Sequence, residues 1–417
     1  MHLVRLVPLV RRRVRPARCA VRHDSVIPVS AAQYPPQWTM KGHRGMPPQT
    51  DTAGSLLSAR NPQDRCERID RLRRPGQFES MRIGLIGTGR IGSFHAAALA
   101  RHPEAGSLLL ADSDPARAAR LADRLGATAA PSVEQVFTWG VDAVVVASST
   151  DGHAELVVRA IRGGLPVFCE KPVAPDLART LSVLREVSAL GGLLQVGFMR
   201  RFDAGYLTAR ELVRSGALGR LHTVRTTTAD PAPPAADYLA ASGGLYRDCM
   251  VHDFDMVRWV TGHEVVEVYA AGSDAGPPQF RQTGDVDTAA ALLTLDDGTL
   301  VTATGTRCNG AGYDVRMELA GERDQVSAGL DDRTPIASTE PNGPPAASKP
   351  WTGFLERFGP AYEAELDAFV RQARGEGENP CDGREALAAL RVAEACELSR
   401  RERRRVRLEE LPDLPDR

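Results

Sequence analysis

The sequence predicts an α/β chain, in which a doubly wound parallel sheet is followed by an α+β region with an open, mostly antiparallel sheet. Three observations carry this. From residue 81 to about 203, short runs of branched apolar residues alternate with helix-like stretches, as strands buried on both faces and covered by helices require. The first run, MRIGLI, opens directly into Gly87, Gly89 and Gly92 at the spacing G-x-G-x-x-G. Beyond residue 203 the strand-like segments turn rich in threonine and valine and are separated by turn signals, the texture of hairpin-built sheets.

Each glycine of the first motif has a physical reason. Gly87 permits the tight turn out of the strand, Gly89 lets a pyrophosphate approach the backbone, and Gly92 allows close helix-to-strand packing. Arg90 and Ile91 fill the positions between, where free N–H groups at a helix start meet phosphate charge. The alanine-rich residues 93–101 read as that helix. About twenty residues beyond Gly92 the run Leu-Leu-Leu-Ala ends in Asp112, where a carboxylate accepts hydrogen bonds from an adenosine ribose. The constellation predicts an NAD(P)-binding Rossmann domain; the plain alternative is a strand-turn-helix without a ligand. Asp112 favours the free 2′-hydroxyl of NAD over the 2′-phosphate of NADP. Asp114 adds to this and Arg117 works against it.

The elements follow in order. Residues 115–125 read as a helix with outward arginines, and 141–147, VDAVVVA, as a buried strand ending at Ser148 to His153. That is the carboxyl edge where ligands of doubly wound sheets lie. Ser148 and Thr150 are read as hydrogen-bonding the cofactor and, compatibly with that, as capping a helix over 154–162; His153 at the same edge is expected to bind the cofactor. A strand over 166–169 delivers Glu170-Lys171-Pro172, in which the proline restrains the lysine's backbone. A helix over 177–189 and a strand over 193–198 lead to Met199-Arg200-Arg201-Phe202-Asp203, where the alternation stops. Then come a helix over 205–215, a strand over 221–228, a loop with Pro231, Pro233 and Pro234, and the segment SGGLYRDCMVHDFDMVRW over 242–259. Strands are expected over 265–270, 288–295, 300–306 and 315–320, with Asp296-Asp297-Gly298 as a hairpin turn. A polar loop over 331–350 precedes a helix over 359–374 and a final helix from Arg384. The expected domains are a nucleotide-binding unit, 81–203, and a substrate and oligomerisation unit, 204–412.

Bulk properties narrow the function. The chain has 417 residues and a net charge of −1, which gives no basic character for nucleic acid. No apolar run reaches membrane-spanning length. The seven cysteines lack any C-x-x-C pair, so neither a disulfide framework nor a zinc site is indicated and a reducing cytoplasm is expected. Residues 1–80 mix arginine clusters with Pro/Gly/Ser/Gln-rich sequence and are expected to be a disordered extension, with Met81 as the functional start. An arginine-rich targeting peptide is the competing reading.

Apolar residues in 244–259 recur at helical spacing, which places Asp248 and His252, four apart, on one face. A carboxylate beside an imidazole orients it and raises its proton affinity, as a general base for an alcohol proton requires. A helix pair without chemistry is the plain alternative. A metal site with Asp255 is disfavoured because no second histidine or cysteine stands at ligand spacing.

Together, MRIGLIGTGRIG, Glu170-Lys171-Pro172, GFMRRFD and SGGLYRDCMVHDFDMVRW resemble the glucose-fructose oxidoreductase / inositol dehydrogenase family (Gfo/Idh/MocA), and within it the inositol 2-dehydrogenase-like members. The resemblance covers about residues 81–410, including FGPAYEAELDAF and Asp382 to Leu387. It implies catalytic Lys171, Asp248 and His252, Glu170 beside the cofactor, and a cis Lys171–Pro172 bond. The implied activity is NAD-dependent oxidation of a secondary hydroxyl on a cyclic polyol by a homo-oligomer, tetramer or dimer. Two alternatives stay open: an aldose or other sugar dehydrogenase using NAD or NADP, and a non-catalytic sensor of the same fold.

Overall fold

Residues 80–414 are described in the computed structural model, so the extension expected over 1–80 lies, Ser80 apart, outside the described residues. Strands β1 (Met81–Ile86), β2 (Ala105–Ala111), β3 (Thr128–Ala129), β4 (Ala143–Val146), β5 (Val167–Glu170) and β6 (Leu194–Gly197) form one parallel sheet in the order β3-β2-β1-β4-β5-β6. The order reverses between β1 and β4, which opens a crevice at their carboxyl ends. Both faces are covered, so Ile83, Leu85, Val144, Val145, Val167 and Phe168 have no exposed surface.

The second sheet contains β7 (Leu221–Ala229), β8 (Val265–Ser273), β9 (Thr288–Leu295), β10 (Leu300–Thr306), β11 (Asp314–Gly321), β12 (Gln325–Ala328) and β13 (Val406–Arg407), in the order β12-β11-β7-β10-β9-β8-β13. Only β7 and β10 pair in parallel; the other neighbours run antiparallel. The expected hairpin joins β9 to β10, with Gly298 at φ +86°. One face is buried: Ala289, Ala291, Leu293 and Leu295 alternate with outward residues along β9.

Boundaries differ from the sequence reading where helix starts are concerned. The first helix begins at Arg90 and the helix expected from residue 154 begins at Thr150. Hydrophobic spacing cannot register a first turn that faces an open crevice. The short strands β3, β12 and β13, of two to four residues, are too brief to display a period of two.

The helices Gly359–Ala373 and Gly383–Glu402 bind the two sheets together. Leu366, Phe369 and Val370 pack with Ile83 and Leu85, whereas Ala361 and Tyr362 join the core of the second sheet. Leu387 and Leu390 of the last helix lie with the first sheet, and Val392 and Cys396 with the second. Each fully buried large apolar side chain contributes about 1.5–3 kcal/mol, which makes these helices a substantial fastening. The Cys381 carbonyl also accepts from the Val196 amide at 2.9 Å on the edge strand β6. No helix among the described residues is long and apolar enough to cross a membrane.

Candidate active site

The turn after β1 has the shape its glycines demand. Gly87 has φ +99°, and a Cβ there would lie 2.4 Å from the Ser148 amide nitrogen; a Cβ on Gly92 would lie 1.8 Å from the Gly87 carbonyl oxygen. A Cβ on Gly89 would meet nothing within 4 Å. The fold therefore requires the outer two glycines, and the middle one leaves an open cradle at a helix start, which fits a pyrophosphate. Arg90 lies over the Phe354 ring at 4.9 Å, and Ile91 packs against the core of the second sheet.

Asp112 stands at the end of β2. Its carboxylate accepts from the Thr88 amide at 2.7 Å, the Thr88 hydroxyl at 2.8 Å and the Asp114 amide at 2.9 Å, with Arg117 3.7 Å away. Burial opposes its charge, but these donors outweigh burial and hold the carboxyl below the usual range. At the end of β4 the helix begins at Thr150 with Ser149 as its N-cap and no side-chain capping bond. The Ser148 hydroxyl donates to the Ser149 carbonyl at 3.2 Å, so side-chain capping by Ser148 and Thr150 is not what the chain adopts.

His153 is buried, with Nδ1 2.7 Å from the Pro172 carbonyl and Nε2 3.0 Å from the Ser148 carbonyl. Its polar atoms thus tie two backbone segments together. Glu170 Oε1 lies 2.6 Å from His95 Nε2, beneath the sheet's carboxyl edge. The Lys171–Pro172 peptide is cis.

Lys171 reaches Asp248. Its Nζ donates to the Asp248 carbonyl at 2.7 Å and to Oδ1 at 2.9 Å. Asp248 Oδ2 accepts from Arg307 at 2.8 Å, and the Tyr238 hydroxyl lies 3.0 Å from both carboxylate oxygens. Burial disfavours charge on both groups, yet their mutual attraction, with Arg307 beside Asp248, holds Lys171 above the usual lysine range and Asp248 well below the usual carboxylate range. The same burial and the Asp248 charge push the Tyr238 phenol up to about 12.

His252 shares this neighbourhood but is not hydrogen-bonded to Asp248. Its Nδ1 is buried without a partner. Residues Tyr246–Met250 form a π-turn ahead of the helix Val251–Thr261, and such wide turns re-aim side chains at functional sites. Asp248 accepts its hydrogen bonds from Lys171, Arg307 and Tyr238, and it acts on His252 through its charge alone, which favours the protonated imidazole. Burial, then the Lys171 and Arg200 charges, push the His252 imidazole well below its ordinary range, against the opposing charge of Asp248.

Two buried ion pairs brace the helix that bears His252. Arg200 contacts Asp253 at 2.9 Å and Thr228 at 3.0 Å. Arg201 grips Asp255 through two nitrogens, at 2.9 and 2.5 Å, and adds Glu385 at 2.8 Å. Asp255 is thereby committed to an arginine. No sequence signal points to Arg307 and His95, which come from a strand end and the first helix; Tyr238 belongs to the stretch 229–241, expected as a loop, where a short helix Ala236–Ser242 bears it. Only tertiary structure brings them to the site.

The geometry is that of a cofactor crevice meeting a buried ammonium, an ionised carboxylate and an imidazole. Residues 81–198 match the oxidoreductase family described as an NAD-binding Rossmann fold, and residues 206–327 match the GFO/IDH/MocA C-terminal domain. A myo-inositol dehydrogenase of Streptomyces leeuwenhoekii is 39% identical over 325 residues, 76% of this chain and 97% of the relative. A myo-inositol 2-dehydrogenase of Thermotoga maritima is 37% identical over 334 residues, 79% of this chain and 99% of the relative. Among solved structures, the scyllo-inositol dehydrogenase of Lactobacillus casei, with bound NAD(H) and scyllo-inositol, superposes with a TM-score of 0.70 at 27% identity, covering 79% of this chain and all of that one. The chain belongs to the GFO/IDH/MocA family of oxidoreductases.

Proposed function

We propose that the protein is an NAD-dependent dehydrogenase that oxidises a secondary hydroxyl of an inositol-type cyclic polyol to the ketone. The observation that carries this is the Lys171–Asp248 ion pair, with the buried His252 in the same neighbourhood, at the carboxyl edge of the nucleotide-binding sheet. The relatives act on inositols by name, and the same substrate class suits a site rich in fixed charge and hydrogen-bonding groups.

In this mechanism His252 accepts the hydroxyl proton, because a neutral imidazole is the form competent to do so. Lys171, protonated, donates to the substrate oxygen and stabilises the negative charge that develops there. Asp248 holds the ammonium in place, and Arg307 keeps Asp248 ionised; the carboxylate serves the lysine rather than the imidazole. The nicotinamide, when bound, supplies the hydride acceptor. Gly87, Gly89, Arg90, Ile91 and Gly92 form the pyrophosphate cradle, Asp112 receives the adenosine ribose and selects NAD over NADP, and Ser148 and Thr150 line the same edge. Glu170 and His153 contribute by shaping the turn that bears Lys171.

The nucleotide unit spans 81–203 and the substrate unit 204–412, with the last two helices returning to the first sheet. A reducing cytoplasm suits the free thiols of Cys169, Cys249, Cys308, Cys381 and Cys396. The test is NADH formation with myo-inositol, scyllo-inositol and glucose: turnover on an inositol supports the reading, and silence on all three while NADH still binds counts against it.

A further inference from the structure

Lys171 lies in a turn held at both ends by histidines. On one side Pro172 offers its carbonyl to His153, on the helix that begins at Thr150. On the other, Glu170 meets His95 at 2.6 Å, on the helix that begins at Arg90. Both helices start at the crevice edge. His95 has no exposed surface, and the Phe168 and Tyr362 rings pack edge-on against it at 5.5 and 5.7 Å. Its Nδ1 has no partner, so the tautomer protonated at Nε2, donating to Glu170, is the one this network assigns. Glu365 is buried nearby, and burial together with the Glu170 charge pushes its carboxyl well above the usual range.

We propose that His95 is a positioning residue for Lys171: through Glu170 it anchors the lysine-bearing turn to the helix whose first turn borders the cofactor cradle. The inference rests on the reading above that Lys171 acts on the substrate oxygen. Without His95 the turn keeps its His153 contact, the β5–β6 pairing and the Asp248 hold on Lys171 but loses its tie to the first helix, and displacement of a reacting group by about 1 Å can cost on the order of 100-fold in rate.

The test uses a peculiarity of the composition: three of the 52 Lys and Arg residues are lysines, Lys41, Lys171 and Lys349. Full-length protein labelled with 13C at lysine Cε gives three signals, and Lys171→Arg identifies the one from Lys171. In His95→Ala the Lys171 signal should move toward that of an unrestrained lysine in the cofactor-free protein. The NADH dissociation constant should stay within about two-fold, and kcat should fall about 10- to 100-fold. His95→Gln, which keeps a donor near the Nε2 position, should restore both signal and kcat. Should His95→Ala not fold, Glu170→Ala, which removes the acceptor, replaces it, with the same expected displacement. An unmoved Lys171 signal, or a loss in kcat that His95→Gln does not repair, overturns the proposal. The resonance needs no turnover, so an inert wild type with a displaced signal in His95→Ala refutes the dehydrogenase reading and leaves the anchoring role standing.

Discussion

Lys171, Asp248 and His252 form a division of charge rather than a relay. Asp248 has Lys171, Arg307 and Tyr238 around its carboxylate, so it is saturated without the imidazole. In its buried setting His252 feels the Lys171 and Arg200 cations, which together with burial outweigh the opposing Asp248 charge and depress its proton affinity. A base of lowered pKa loses activity only when the pH falls below the ordinary imidazole range near 6.5. The acid limb of kcat/KM should therefore lie below that range in the wild type. Lys171→Met removes one of the depressing charges, so the limb should move to higher pH while kcat drops by about 100-fold or more. A pH profile of both proteins checks this, and a limb that stays put would show that Lys171 does not govern His252. At this scale the residue types were legible in the sequence and their pairing was not. Four-residue spacing implies contact only on a regular α-helix, and the π-turn at Tyr246–Met250 breaks that condition. Arg307, 59 residues from its partner Asp248, leaves no local signal.

At the scale of elements, the two sequence segments GFMRRFD and HDFDM are explained by each other. Arg200 and Arg201 meet Asp253 and Asp255 inside the protein, and together they brace the helix that bears His252. Removing one partner of a buried pair leaves an unmatched charge, which costs about 3–5 kcal/mol, whereas replacing both with apolar residues is often neutral. Asp253→Leu should thus lower unfolding free energy by about that amount, and Arg200→Met with Asp253→Leu should recover most of it. Urea unfolding of the three proteins measures this; equal stability of the single variant and wild type would show that the pair is not a brace. The glycine turn and most strands of both sheets could be read from the sequence, because period and glycine spacing are local. The short strands and the attachment of the last two helices to the first sheet could not, since they depend on which surface remains to be covered.

For the whole molecule, the outer face of the second sheet carries Tyr269, Leu292 and Leu300, each at least 46% exposed and on neighbouring strands. Exposed large apolar residues this close on one face make it a candidate surface for self-association. Light scattering of the wild type should give a dimer or tetramer, and Tyr269→Arg with Leu292→Arg a smaller species; an unchanged mass would remove this face from consideration. The chemistry of the site is tested by NADH formation from NAD with myo-inositol and scyllo-inositol by the full chain, run beside His252→Ala. The wild type should turn over and the variant should fall by about 100- to 10,000-fold, with NADH binding retained in both. Comparable turnover by the two proteins, or none by a wild type that binds NADH, would contradict this chemistry.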